Sequence, residues 1–207
     1  PSTKECRTMR GPGNRVKLPY LLAMAAVPLL AAVGVVATLH TDTPAPKVSV
    51  AATPPTPAIN GITCDPADHR PAAVAVHLSI LINGRARDIL PNVGISNALV
   101  AYTPSGALVS KADCYYWLHT GRDDGVINAA PPTGTARTFT LGDFFDVWHK
   151  PLGSHAVASD EGPVTSYVNG KPFDGNPRAI PLTNHAVIQL DVGANTAPTP
   201  YTFLAGE

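Results

Sequence analysis

His119 is the residue whose surroundings first suggest chemistry. In Cys114-Tyr-Tyr-Trp-Leu-His-Thr120 an alternating strand places Tyr115, Trp117 and His119 on one face and Tyr116 and Leu118 on the other. An imidazole at the end of a strand beside aromatic rings can act as a metal ligand or a proton carrier, or simply be a packed or surface residue. Ser154, His155 and Asp160 supply the three side-chain types of a nucleophilic triad in one glycine-bearing loop, but nearness in sequence does not align them. Asp143 and Asp146 form a carboxylate pair on a short helix, where a solvated face is the simpler reading. No HExxH, GxSxG, P-loop or strand-preceded GxGxxG occurs, and Gly11-Pro-Gly13 sits in a basic leader with no such context. The residues therefore predict no enzyme.

The elements that must position these groups are those of a β-rich domain. The chain has 207 residues, of which 22 are proline and 17 glycine, too many breakers for a helical bundle. Val74, Val76, Leu78, Ile80 and Ile82 alternate onto one face, with His77 and Ser79 on the other, and Asn83-Gly84 supplies a tight hairpin turn. Thr103-Pro-Ser-Gly106 marks a second hairpin, and Asn169-Gly170 in VTSYVNGKPF a third. Ile188, Leu190 and Val192 share one strand face, opposite His185, Gln189 and Asp191. Thr140 caps a helix with Asp143 three residues on, and Leu141, Phe144, Phe145 and Trp148 form its apolar stripe before Pro151 and Gly153 end it. The predicted fold is α+β, mainly antiparallel with this one packed helix. A β-grasp-like arrangement is one form of it, and a sandwich decorated by the helix is the other.

The amino-terminal third reads differently. Residues 18–39 carry no charge, and 22 residues at about 1.5 Å each span roughly 33 Å, enough for a bilayer core. Arg10, Arg15 and Lys17 precede this segment, so the basic leader 1–17 is expected in the cytoplasm and the rest outside. A cleaved signal peptide is the competing reading of the same run. Met9 opens a run that resembles a natural start. Residues 40–60, rich in proline, alanine and threonine, read as an extended stalk, followed by an extracytoplasmic domain at 61–193 and a loose tail at 194–207 in which Tyr201 and Phe203 are able to pack back. Cys64 and Cys114 are the two outer cysteines, and in an oxidising compartment they are expected to be joined, with a thiolate metal site or free thiols as the alternatives. Fifteen basic and fifteen acidic residues leave no net charge and so no footprint for nucleic acid.

The phrases VHLSILING, CYYWLHT, TFTLGDFFDVW, VTSYVNGKPF and NPRAIPLTNHAVIQLDVG together resemble a family of membrane-anchored envelope proteins of high-GC Gram-positive bacteria whose activity is not established. The resemblance covers roughly residues 60–193 and implies one membrane segment, a linker and a small outer domain. It also implies a histidine-rich strand face suited to copper or zinc, of which this chain keeps His77, His119 and His185 and lacks the rest. His149 and His155 are spare candidates. Two functional expectations follow: a non-catalytic binding or interaction module at the cell membrane with an envelope protein as partner and no cofactor, or, alternatively, a copper- or zinc-binding envelope protein using those three histidines.

Overall fold

The computed structural model describes residues 56–69 and 74–207; the segments expected to be a leader, a membrane span at 18–39 and most of a stalk lie outside the described residues. Strand β1 (Cys64–Asp65) precedes the long central strand β2 (Val74–Ile82), which turns through Asn83 and Gly84, both at positive φ, into β3 (Arg85–Arg87). That is the hairpin geometry the Asn-Gly pair favours. Next come β4 (Ile95–Ser96), the ribbon of β5 (Leu99–Thr103) and β6 (Gly106–Lys111), and then β7 (Cys114–Tyr116), β8 (Leu118–Thr120) and β9 (Val126–Ala129). Helix α1 (Leu141–Val147) separates these from β10 (Ala156–Val157), β11 (Asp160–Glu161), β12 (Val164–Val168), β13 (Lys171–Pro172) and β14 (Val187–Val192). The described residues are thus mostly β with one short helix.

A seven-stranded sheet runs in the order β13-β12-β14-β2-β9-β8, with β3 on the same edge of β2 as β9. Its centre is the parallel pair of β2 and β14, with Leu78 opposite Ile188 and Ile80 opposite Leu190; the other pairs are antiparallel. Val76, Leu78, Ile80, Ile127, Ile188 and Leu190 are at most 1% exposed and share one core with the helix residues Leu141, Phe144 and Phe145. The alternating apolar residues of β2 and β14 thus serve the face that their period assigns to the core.

The alternation fails in CYYWLHT for a topological reason. β7 belongs to a small sheet, β1-β7-β4, whereas β8 belongs to the main one, so the chain changes sheets at Trp117. Leu118, His119 and Thr120 are consequently all buried, and His119 does not share an outward face with Tyr115 and Trp117 as one continuous strand would require. The free edge of β8 is covered by the 90–94 loop: Thr120 N donates to Val93 O at 3.0 Å, and Thr120 Oγ1 donates to Leu90 O at 2.7 Å. Such covering removes an edge that would otherwise template pairing with another chain. Gly94, at φ +69°, makes it possible, because a Cβ there would lie 2.3 Å from Leu118 O.

The helix begins as its sequence implies. Asp143 N donates to Thr140 Oγ1 at 3.3 Å, and Thr140 N donates back to Asp143 Oδ2 at 2.9 Å, a reciprocal capping box. Thr140→Ala is expected to cost about 1 kcal/mol, seen as a lower denaturant midpoint at unchanged slope. Burial extends beyond the Leu141, Phe144 and Phe145 stripe to Gly142 and Val147, while Trp148 is the half-buried carboxyl-terminal cap. Seven residues buried on more than one side depend on their neighbours for helicity, since isolated helices of this length do not persist in water.

Cys64 and Cys114 are disulfide-bonded, with Cα atoms 5.4 Å apart, fastening β1 to β7. Residues 194–207, expected to be a loose tail, form no strand, yet they are tied across the outer side of β14. Gln189 and Asp191, both at most 2% exposed, lie on the face opposite the core residues and are covered by this segment. Thr196 N donates to Asp191 Oδ2 at 2.5 Å, Thr199 N to Gln189 Oε1 at 3.1 Å, and Gln189 Nε2 to Thr196 O at 3.2 Å.

Candidate functional site

The three histidines singled out by the sequence have three different settings. His77, on β2, lies face to face with Tyr201 of the tail, ring centres 3.7 Å apart and planes within 9°. Its Nδ1 is buried and has no hydrogen-bond partner among the described residues. Burial pushes its pKa below the ordinary 6.5, against the opposing pull of the Asp124 carboxylate and of a hydrogen bond to the Asp124 backbone. The same cover pushes the Tyr201 hydroxyl up to about 12, mainly by burial, with the negative charges of Asp124 and Glu207 adding to it and Arg122 acting the other way.

His119 is 1% exposed, and its Nδ1 donates to Tyr116 O at 2.8 Å, so the ring is held by the sheet change at Trp117. Its Nε2 lies 3.6 Å from Asp68 Oδ1, and the Tyr115 ring tilts against it at 5.5 Å. Nearby, Trp117 Nε1 donates to Asp65 Oδ2 at 2.8 Å, and His69 approaches the same carboxylate at 3.5 Å. This is an ordered polar network under the disulfide. His185 sits at φ +59° before β14, stacks on Phe203 with ring centres 4.5 Å apart, and donates from Nε2 to Glu207 O at 2.8 Å.

Each of the three rings therefore has its own partners, and among the described residues no group of three or more histidine, cysteine, aspartate or glutamate side chains is placed to hold a metal ion. The spare candidates are equally local. His149 takes positive φ as the chain leaves the helix, its N–H donating to Asp146 O. His155 Nδ1 lies 2.8 Å from its neighbour Ser154 Oγ in an exposed loop. Asp160, the would-be third member, is instead paired with Arg87, which also donates to Ser159 Oγ at 3.0 Å. Serine and histidine thus touch, but the carboxylate is turned to another partner and does not orient the imidazole as a triad would need.

The carboxylates of α1 have structural partners too. Asp143 receives Arg137 Nη2 at 2.8 Å in addition to capping the helix. Asp146 receives Arg178 Nη2 at 2.7 Å and Asn60 Nδ2 at 2.8 Å, joining the helix to the Pro177–Ala179 turn and to the amino-terminal segment. Neither is poised as one of two facing catalytic acids.

Two depressions lie beside the members of the His77–Tyr201 stack. One, of about 290 Å³, lies between the Asn169-Gly170 turn, Val187 and the tail residues Pro198 to Tyr201. The other, of about 130 Å³, opens in the gap between β3 and β9 along β2, beside His77, Ser79, Arg87 and Asp124. Tyr201 lines the first and His77 the second. Sequence reasoning singled out His77 and allowed Tyr201 to pack back, but nothing local marked Gln189 and Asp191 for burial or Asp124 as the neighbour of His77. No model of a known protein family, no curated protein and no solved structure matches the chain.

Proposed function

We propose that the chain is a membrane-tethered, extracytoplasmic binding or interaction module with no reaction of its own, held away from the bilayer by its stalk. The observation that carries this reading is the Cys64–Cys114 disulfide, because such bonds persist in oxidising compartments and are rare in the cytosol. It agrees with the uncharged run at 18–39 and the basic residues before it. The binding part of the proposal rests on the commitment of the polar groups: the carboxylates of α1 and the candidate histidines hold the fold together, while Tyr102, 86% exposed, and Leu99, 59% exposed, stand on the separate β5–β6 ribbon. We take the architecture to be β-grasp-like. The first hairpin, the later helix and the return of β14 parallel to β2 support that assignment.

Fractionation of cells expressing the chain tests the proposal. The protein is expected in the membrane fraction, extracted by detergent but not by high salt, with two further thiols alkylated only after reduction. A photo-crosslinker at Tyr102 is expected to give a discrete adduct with an envelope protein. Recovery in the soluble cytosolic fraction with Cys64 and Cys114 reduced would sink the tether and the compartment together.

A further inference from the structure

We propose that residues 194–207 form a strap that lifts from the β2–β14 face on acidification, with protonation of His77 as the trigger. The strap has no ladder of strand hydrogen bonds. It is held by the Asn83, Gln189 and Asp191 side chains, by the His77–Tyr201 and His185–Phe203 stacks, and by the bond from His185 Nε2 to Glu207 O. A segment attached through so few groups opens more readily than the strands beneath it.

At the trigger, the neutral His77 ring leaves Nδ1 bare under Tyr201. Protonation would put a second N–H and a positive charge at that same buried, unpartnered position, and a buried donor without an acceptor is penalised. A cation facing the Tyr201 ring regains part of this. So does Asp124, but its carboxylate already accepts from Arg122 Nε at 3.0 Å and from Val126 N at 3.1 Å. The other charged groups around the ring come from three directions: Asp123 beside Asp124, Arg87 at the end of β3 with Asp88 just after it, and Glu207 at the end of the strap. On β14 the acid is Asp191, held by the strap's own Thr196 N–H. Burial outweighs these attractions, since the ring resists protonation in the closed state. The sign follows. An open strap exposes His77 to water with its ordinary affinity for protons, so the open state binds more protons than the closed one. Closure is favoured above pH 6.5 and loses that advantage as pH falls below it. The other imidazole beneath the strap, His185, stacks on Phe203 and donates from Nε2 to Glu207 O.

Hydrogen–deuterium exchange of the full chain in mild detergent, corrected for the intrinsic pH dependence of exchange, reads strap closure directly. Between pH 7.5 and pH 5 the 194–207 peptide is expected to lose protection while β2 and β14 keep theirs. His77→Phe retains an aromatic stack without a titrating group and is expected to keep the strap protected at both pH values. Tyr201→Ala is expected to lose strap protection already at pH 7.5. Unchanged wild-type protection at pH 5 overturns the proposal. So does opening of His77→Phe at pH 5, which would take the trigger away from His77, or a Tyr201→Ala strap that stays closed.

Discussion

Phe145→Ala is expected to lower stability by about 3–5 kcal/mol, the usual range for truncating a fully buried phenylalanine. The ring is 0% exposed, with the Phe144 ring at 6.0 Å and the Trp148 ring at 5.3 Å, and it belongs to the same core cluster as the apolar residues of β2 and β14. Its neighbours have little freedom to collapse into the space. Phe144 is itself fully buried, Gly142 is pressed against the Arg178 backbone, and Asp146 is pinned by Arg178. The effect should therefore fall toward the upper end of the range. For a domain of this size it corresponds to a thermal midpoint lowered by roughly 6 to 20 °C. Circular dichroism melting checks it, and a loss under about 1 kcal/mol would mean that the helix is not docked as described.

Removal of the disulfide is expected to have an effect of similar size. Cys64 and Cys114 are separated by 50 positions, and closing a loop of that length in the unfolded chain is worth about 4 kcal/mol by chain entropy. The bond also anchors the amino-terminal segment, where Ile62 is buried in the core, Tyr116 Oη donates to Pro57 O at 2.6 Å, and Trp117 Nε1 donates to Asp65. Cys64→Ser together with Cys114→Ser should thus reduce the melting temperature and release residues 56–65 before the main sheet opens. Reductant should do the same to the unaltered protein and have no effect on the double variant. Equal melting of oxidised and reduced protein would remove the stabilising role assigned to the bond.

Much of the local structure was legible in the sequence because it is decided by local chemistry. Asn83-Gly84 and Asn169-Gly170 make tight turns because both positions take positive φ, and Thr140 with Asp143 starts the helix because both satisfy otherwise unpaired backbone N–H groups. The Cys64–Cys114 pair was legible from the cysteine count together with the compartment that the sequence led us to expect. What the sequence did not show depends on distant residues. The change of sheet at Trp117 follows from β7 pairing with β1 and β4 while β8 pairs with β9, so strict alternation misplaced His119. Gln189 and Asp191 look solvent-facing by period, and only the returning tail buries them. Of the three candidate ligands, His77 and His185 are neighbours where β2 meets the start of β14, since His185 N donates to Ala75 O and His77 N to Ala186 O, while His119 stands apart on β8. The histidine pattern implied by the family resemblance thus resolves into two rings stacked under the tail and one locked beneath the disulfide.

The central parallel pair has a consequence for the order in which the protein can fold. Ser79 and Ile188, joined by a side-chain hydrogen bond across that pair, stand 109 positions apart in the chain. Until β14 has been synthesised and delivered, β2 lacks one neighbour and the apolar side chains that close the core, so no amino-terminal fragment holds the finished centre. Pairing between such distant segments is slow, because the loop entropy must be overcome before the contacts form. A chain carried across a membrane would therefore travel with β2 and β14 unjoined and complete its core only after nearly the whole sequence had arrived.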